Sequence, residues 1–513
     1  MSRDRTQGEA LELEPLSSDD EQPDSPIGME PPRPKWMTES RPRHWLSRIA
    51  AFSGWLLRPR LTWRYIFFSA FCFYTLYCIA RGSPLFASPL PDYTGPYGVG
   101  AIDLEVPLNN GPRRVAEGVL RSTGKPAFEV ETLLATVYYP TDRAFRSRRA
   151  PYPWIPRPIS LTAKGYARLA HVDNFFFRPV FTLGLWVAAG SITIPAEVDA
   201  PLLGRDQGEG EAFPVTVFSH GMASSRTDYT HFLGELASRG HVLVAIEHRD
   251  GSGPGSVVKT SDSSGREVHP LRPSDLESKP DTPAFKRAQL AFRDAEIHAA
   301  VELLHSLNNG TPITNTRDPI TTLPWLNRLN LTQLTLAGHS YGATGALQAL
   351  TTLSRLQPKA GILLDPGKSS GQLNPNASVP LLTIHSNTWS RKASPFFGRP
   401  HFDTVRDLVR AVPAPSWFLT SIGTAHPSVT DAPLLEPLIM SWTTGARMDV
   451  KEALGEYVRV VEDFGVFLAS GERKGVLREG VTHLEYGVWV SEERERRFPE
   501  RLKRLWEVHV DGG

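Results

Sequence analysis

Cysteine is nearly absent: Cys72 and Cys78 are the only 2 in 513 residues, and both lie in one apolar stretch. That excludes a disulfide framework and a cysteine-based zinc site. No charge sign dominates either, since 56 Lys+Arg stand against 55 Asp+Glu and leave a net charge of +1. Nothing global therefore points to nucleic acid or an acidic polymer as partner. The motifs H-E-x-x-H, G-x-x-x-x-G-K-[ST] and a strand-linked G-x-G-x-x-G are missing, as is any internal repeat. The chain thus carries no sequence sign of a metal, a nucleotide or a dinucleotide, no cofactor is expected, and the expected chemistry is side-chain chemistry.

Residues 1–44 are rich in Pro, Ser, Asp, Glu and Arg, as in "SSDDEQPDSPIGMEPPRPK", and lack periodic apolar positions. They read as a disordered tail. An amphipathic and then apolar segment covers 45–82, with an uncharged run over 65–80 that as a helix spans roughly 24 Å, a little short of a ~30 Å hydrocarbon core. Arg64, Trp63 and Arg81 at its ends suit a single transmembrane helix. Arg41, Arg43, Arg48, Arg58 and Arg60 precede the run, whereas only Arg81 follows before Arg113. The positive-inside bias then puts the N-terminus in the cytoplasm and the remainder on the lumenal or extracellular side. Sequons at Asn309, Asn330 and Asn376 suit that side but are common by chance.

Over 93–445 short β-branched runs alternate with helical stretches: "TLLATVYYP", "PVTVFSH", "HVLVAIEH", "QLTLAGHS", "AGILLDP", "PLLTIHS" and "SWFLTSIG". Apolar strands this continuous predict an α/β fold with a mainly parallel sheet covered by helices on both faces. One helix, "FKRAQLAFRDAEIHAAVELLHSL", places Leu290, Ile297, Val301 and Leu304 on one face and Arg287, Arg293, Asp294 and Glu296 largely elsewhere. Residues 446–513 are charged and amphipathic and read as peripheral helices or a partly disordered tail.

The stretch "QLTLAGHSYGATGALQAL" reads as strand, sharp turn and helix, with Gly338 and Gly342 flanking Ser340. Small neighbours permit the strained backbone of a nucleophile elbow, whereas a helix-capping serine would not require the strand and both glycines. A serine nucleophile needs a base, and the base an orienting carboxylate. Asp365 ends the strand "KAGILLDPG"; Asp403 and Asp407 fall in a polar helical stretch and are poorer choices. His426, in the loop "TAHPS" after a strand, is the first choice of base, with His385 the second. His401 also follows the acid, while His483 and His509 fall in the charged tail, where solvation is expected. Oxyanion donors would be the backbone N–H groups of Tyr341 and, after the strand ending Ser219-His220-Gly221, of Met222.

At these residues the chain resembles the platelet-activating factor acetylhydrolase family, the plasma and intracellular type II lipid esterases. "GPYGVGAID", "ATVYYP", "YPWIP", "PAEVDAPLL", "FPVTVFSHGMASSRTDY", "LASRGHVLVAIEHRDGSG", "AGHSYGA" and "GILLDP" occur in family order. The resemblance implies an α/β-hydrolase fold, Ser340 as nucleophile, Asp365 as acid, His426 as base, and Met222 and Tyr341 as oxyanion donors. It implies calcium-independent hydrolysis of the sn-2 acetyl or other short or oxidised acyl chain of a glycerophospholipid, with a phospholipid substrate and no metal. Tyr341 stands where the family carries phenylalanine, Pro366 follows the acid, and Gly251–Lys279 and Ser386–Pro400 are longer than family loops. Two other readings are a general carboxylesterase or lipase with the same triad, and a catalytically silent hydrolase-like binding module tethered to a membrane.

Overall fold

The computed structural model describes residues 54, 62–81, 85–204, 212–260, 265–318, 325–353, 358–391, 393–394 and 399–513. The tail expected over 1–44, and residues 45–53, 55–61 and 82 of the segment after it, lie outside the described residues. The chain divides into two compact units, Met1–Cys72 and Phe73–Gly513. Most described residues of the first unit belong to helix α1 (Trp63–Arg81), which runs on into the second.

The expectation of a membrane-spanning helix over 65–80 is corrected here. Among the described residues no helix is long and apolar enough to cross a membrane. The run is shorter than a hydrocarbon core, and Tyr65, Ser69, Tyr74, Thr75 and Tyr77 dilute its apolar residues.

The second unit is built on a sheet of ten strands: β1 (Gly98–Pro107), β2 (Thr132–Thr141), β3 (Glu197–Val198), β4 (Phe213–Ser219), β5 (Val242–Ile246), β6 (Leu329–His339), β7 (Ala360–Leu364), β8 (Leu381–Ser386), β9 (Trp417–Ser421) and β10 (Trp506–Asp511). Their spatial order is β10-β9-β8-β7-β6-β4-β5-β2-β1-β3. Strands β5, β4, β6, β7, β8 and β9 pair in parallel, while β2 joins β5, and β10 joins β9, antiparallel. Residues pointing to opposite faces alternate along each strand, so both faces here must be apolar and covered.

On one face Phe218, Ala337, Ile362 and Leu419 pack with α4 (Thr230–Ala237) and α10 (Val450–Ser470). On the other face Val217, Leu336, Leu363 and Phe418 pack with α5 (Thr282–Asn308), α6 (Tyr341–Thr352) and α8 (His401–Ala411). The remaining helices used below are α2 (Ile159–Leu169), α3 (Phe177–Ala189), α7 (Asn387–Ser390) and α9 (Pro437–Thr444). This is the expected α/β-hydrolase architecture, with helices on both sides of a mainly parallel sheet.

Two expectations about charged segments differ from the structure. In α5 the four apolar positions are buried as expected, but Arg293 and Glu296 are fully buried too. Arg293 Nε donates to Asp250 Oδ2 at 2.8 Å, and Glu296 Oε2 lies 2.6 Å from His248 Nδ1. Partners from a distant strand end make that burial tolerable. Residues 446–513 are not simply peripheral. Helix α10 buries Leu454, Tyr457, Val458, Val461 and Phe464 in the core, and β10 completes one edge of the sheet.

Candidate active site

The sheet brings the ends of β4, β6, β7, β8 and β9 to one edge. Ser340 sits between β6 and α6 at φ 57° and ψ −119°, a conformation that an L residue adopts at a cost of about 1–3 kcal/mol. Its N–H donates to the carbonyl of Leu364, the last residue of β7, at 2.9 Å. The two glycines of the motif have separate steric reasons. A Cβ on Gly338 would come 2.4 Å from the backbone of Gly342, and a Cβ on Gly342 would come 1.8 Å from the Ser219 carbonyl oxygen. The tight turn therefore presses the start of α6 onto the end of β4.

Asp365 follows β7, also at positive φ (47°), and is 3% exposed. Its Oδ1 accepts from Ser386 N–H at 2.6 Å and its Oδ2 from Ser386 Oγ at 2.7 Å. Oδ2 also lies 2.8 Å from His426 Nδ1. His426 opens a 3-10 turn, His426–Val429, beyond β9, and its side chain is 26% exposed. The Trp389 ring stacks on its imidazole with centroids 3.7 Å apart and planes inclined by 7°. The His339 ring lies 4.4 Å from it.

His339 fills the first variable position of the G-H-S-Y-G stretch. Burial pushes its imidazole down to about 3, so it is neutral near pH 7. Its Nδ1 lies 2.9 Å from Tyr229 Oη, and that same oxygen accepts the N–H of Gly221 at 3.1 Å. His339, Asp365 and His426 form the one group among the described residues whose ligand-type atoms converge, all within 4.8 Å. In that group the Asp365–His426 contact is the one expected of an oriented base.

His385 stands between two residues that hydrogen-bond Asp365, Ile384 and Ser386, but its own ring nitrogen Nδ1 faces Ser390 Oγ at 3.4 Å. It is fully buried, with its ring 5.6 Å from that of His401 and 4.8 Å from that of Phe418, and burial holds its imidazole well below the usual range. His401 Nε2 donates to the Pro366 carbonyl at 2.7 Å. Asp403 and Asp407 lie on α8, where both contact Arg406. His483 and His509 are buried, contrary to the expectation of solvation: His509 Nε2 lies 2.8 Å from Thr420 Oγ1, and β10 carries the residue into the core.

The loop after β4 carries Gly221 and Met222. A Cβ on Gly221 would lie 3.2 Å from Ser340 Cβ, so the loop runs against the serine, and the Met222 side chain is 44% exposed. Behind the loop, Arg293 Nη1 donates to the His220 carbonyl at 2.6 Å, and Ser219 Oγ lies 2.6 Å from His248 Nε2. Removal from water pushes Glu296 up and His248 down, which favours a neutral pair there. Tyr341 is fully buried. Its hydroxyl donates to Gln289 Oε1 at 3.0 Å, which gives the group absent from a phenylalanine a partner.

Sequence reasoning did not find His339, Tyr229 or Trp389. The position of His339 beside the serine was a usable signal. Trp389 had none beyond its place just after β8.

The profile of the family described as "Platelet-activating factor acetylhydrolase, isoform II" matches residues 86–464. The chain belongs to the platelet-activating factor acetylhydrolase family. Among curated relatives it is 28% identical to the platelet-activating factor acetylhydrolase of Canis lupus familiaris over 288 residues, 54% of this chain and 55% of that protein. It is 32% identical to the Bos taurus protein of the same name over 184 residues, 34% of this chain and 39% of that protein. A putative phospholipase A2 of Schizosaccharomyces pombe is 28% identical over 285 residues, covering 50% of this chain and 57% of that protein. The chain spans about half the length of the curated relatives it matches. A solved ferulic acid esterase from Streptomyces cinnamoneus superposes with a TM-score of 0.50 at 17% identity, covering 77% of this chain and 96% of that one, a likeness of fold.

Proposed function

We propose that this chain is a calcium-independent serine esterase that hydrolyses the sn-2 acetyl, or another short or oxidised acyl, ester of glycerophospholipids. The hydrogen bond between Asp365 and His426, made at the strand ends that also carry the strained Ser340, is the observation that carries the reading. Asp365 fixes the His426 tautomer with its proton on Nδ1, leaving Nε2 as base. His426 takes the Ser340 proton as Oγ attacks the sn-2 carbonyl, and the N–H groups of Met222 and Tyr341 receive the developing oxyanion. His426 then returns the proton to the departing glycerol oxygen, and water, deprotonated by the same base, releases the acyl group from Ser340. Neither step uses a cofactor or a metal.

Such a substrate lies in a lipid surface, and exposed apolar residues support docking there. Phe175 and Phe176 just before α3, Leu183 and Trp186 along it, and Leu438 and Trp442 on α9 are each at least 60% exposed. Trp154 Nε1 donates to Asp431 Oδ2 at 3.0 Å, tying the chain leading to α2 and α3 to the start of the short helix Ala432–Leu435 that precedes α9. These helices would rest the protein on a phospholipid surface without spanning it.

A fluorophosphonate probe tests the reading, with labelling expected in the wild type and lost in Ser340→Ala. Folded wild-type protein that does not label would instead indicate the silent binding module. Hydrolysis rates across sn-2 chain lengths, set beside simple carboxylic esters, separate this activity from that of a general carboxylesterase or lipase.

A further inference from the structure

We infer that Trp389 is a positioning residue for the base: its indole fixes the plane of the His426 imidazole and favours the imidazolium that forms during acyl transfer. The inference rests on the reading of His426 as base. One hydrogen bond, from His426 Nδ1 to Asp365 Oδ2 at 2.8 Å, fixes a point and a direction but leaves the ring free to tilt about that axis. The side chain is 26% exposed, so water competes for it. A parallel ring 3.7 Å away and inclined by 7° removes the tilt, which keeps Nε2 aimed.

The indole is itself held firmly. Trp389 is 7% exposed, and its Nε1–H donates at 3.0 Å to the carbonyl of Pro366, the residue next to the acid. The His401 ring meets it edge-on at 90°, and Lys368 Nζ lies 4.6 Å from its centroid. A residue anchored beside Asp365 and stacked on His426 therefore couples the acid to the base through a second route. Because an aromatic face attracts a cation more than a neutral ring, the contact strengthens as His426 takes the serine proton, and a contact that grows in the transition state raises kcat. Trp389 lies in Ser386–Pro400, a segment longer than its counterpart in the family that the sequence resembles. Its indole is packed on the base.

The test compares Trp389→Leu and Trp389→Phe in the full chain, with fluorophosphonate labelling to count folded sites. Trp389→Leu is expected to lower kcat about tenfold with KM held, and Trp389→Phe to restore most of it. The second readout is the ring-proton resonance of His426 in histidine-labelled protein, identified by its loss in His426→Asn. The indole should shift it upfield in the wild type, and it should move downfield in Trp389→Leu. A rise in KM at unchanged kcat would make the indole a pocket wall and overturn the proposal. So would a His426 resonance that is the same with and without Trp389. Hydrolysis that survives Ser340→Ala would overturn the triad reading instead, and the resonance would still decide the stack.

Discussion

Gly342 and Ser219 are in direct backbone contact: a Cβ on Gly342 would come 1.8 Å from the Ser219 carbonyl oxygen and 2.8 Å from that of His220. The second glycine of the serine motif is thus needed less for its own turn than for the strand end that leads to Met222. The nucleophile and the proposed oxyanion donor are set at a distance that only a residue without a side chain allows. Gly342→Ala should push β4 and α6 apart and destabilise the fold by about 3 kcal/mol through overpacking. The surviving folded fraction should label poorly with a fluorophosphonate. A variant with a wild-type unfolding midpoint and normal labelling would show that the two backbones separate freely.

The second prediction concerns the proposed triad. Ser340→Ala, Asp365→Asn and His426→Ala should each nearly abolish turnover, and a double variant should be no worse than a single one, because groups that act as a unit lose their effect together. His385→Ala is the contrast, since His385 is fully buried beside Phe418 and His401. Loss of turnover in His385→Ala, with turnover kept in His426→Ala, would reassign the base.

Much of the candidate site was legible because its parts are local. The strand, the G-H-S-Y-G turn and the helix are contiguous in sequence, and Asp365 stands directly after its own strand. What was not legible depends on residues brought together from far along the chain. Arg293 and Glu296 read only as charges off the apolar face of their helix, and their burial is explained once Asp250 and His248 supply partners. The strand Trp506–Asp511 hides behind a charged stretch and shows its purpose only when β9 offers an edge. Trp389 carries no motif, and its meaning comes from the distant loop that swings His426 onto its face. The apolar run after Trp63 misleads in the opposite way, since flanking arginines suggest a span that its length and polar content do not sustain.

A third prediction follows from the buried histidines. Burial depresses His220 and His401 to about 4 and His339 and His509 to about 3, against 6.5 for the free side chain. Between those values and 6.5 the unfolded chain binds protons that the folded chain does not, so these groups lower stability as pH falls from about 6.5 toward 4. Asp228 and Glu507 act in the opposite sense. Burial raises both to about 7, so the folded chain keeps protons that the unfolded one has lost, and acidification below 7 favours folding through them. Burial raises six further carboxyls in the same sense, Glu296 among them, but it depresses ten histidines against eight carboxyls in all, so the denaturant midpoint should drop between pH 6.5 and pH 4.5. A midpoint that is flat or rises across that window would contradict the neutral state assigned to the histidines.

The last prediction reaches a donor that side-chain replacement leaves in place. Met222 follows Gly221, which runs against Ser340 and gives its own N–H to Tyr229, so the next N–H along the loop is the one proposed for the oxyanion. Met222→Leu keeps that group and, at a side chain 44% exposed, should change little. Met222→Pro deletes it, and losing one such donor costs about 2.7–4 kcal/mol, roughly a hundred- to thousandfold in kcat. Proline also fixes φ, so a distorted loop could imitate the loss. Labelling and thermal unfolding of the same variant separate the two causes: a folded protein with a reactive Ser340 and slow turnover identifies the donor. Unimpaired kcat in Met222→Pro would place the second donor elsewhere in the loop.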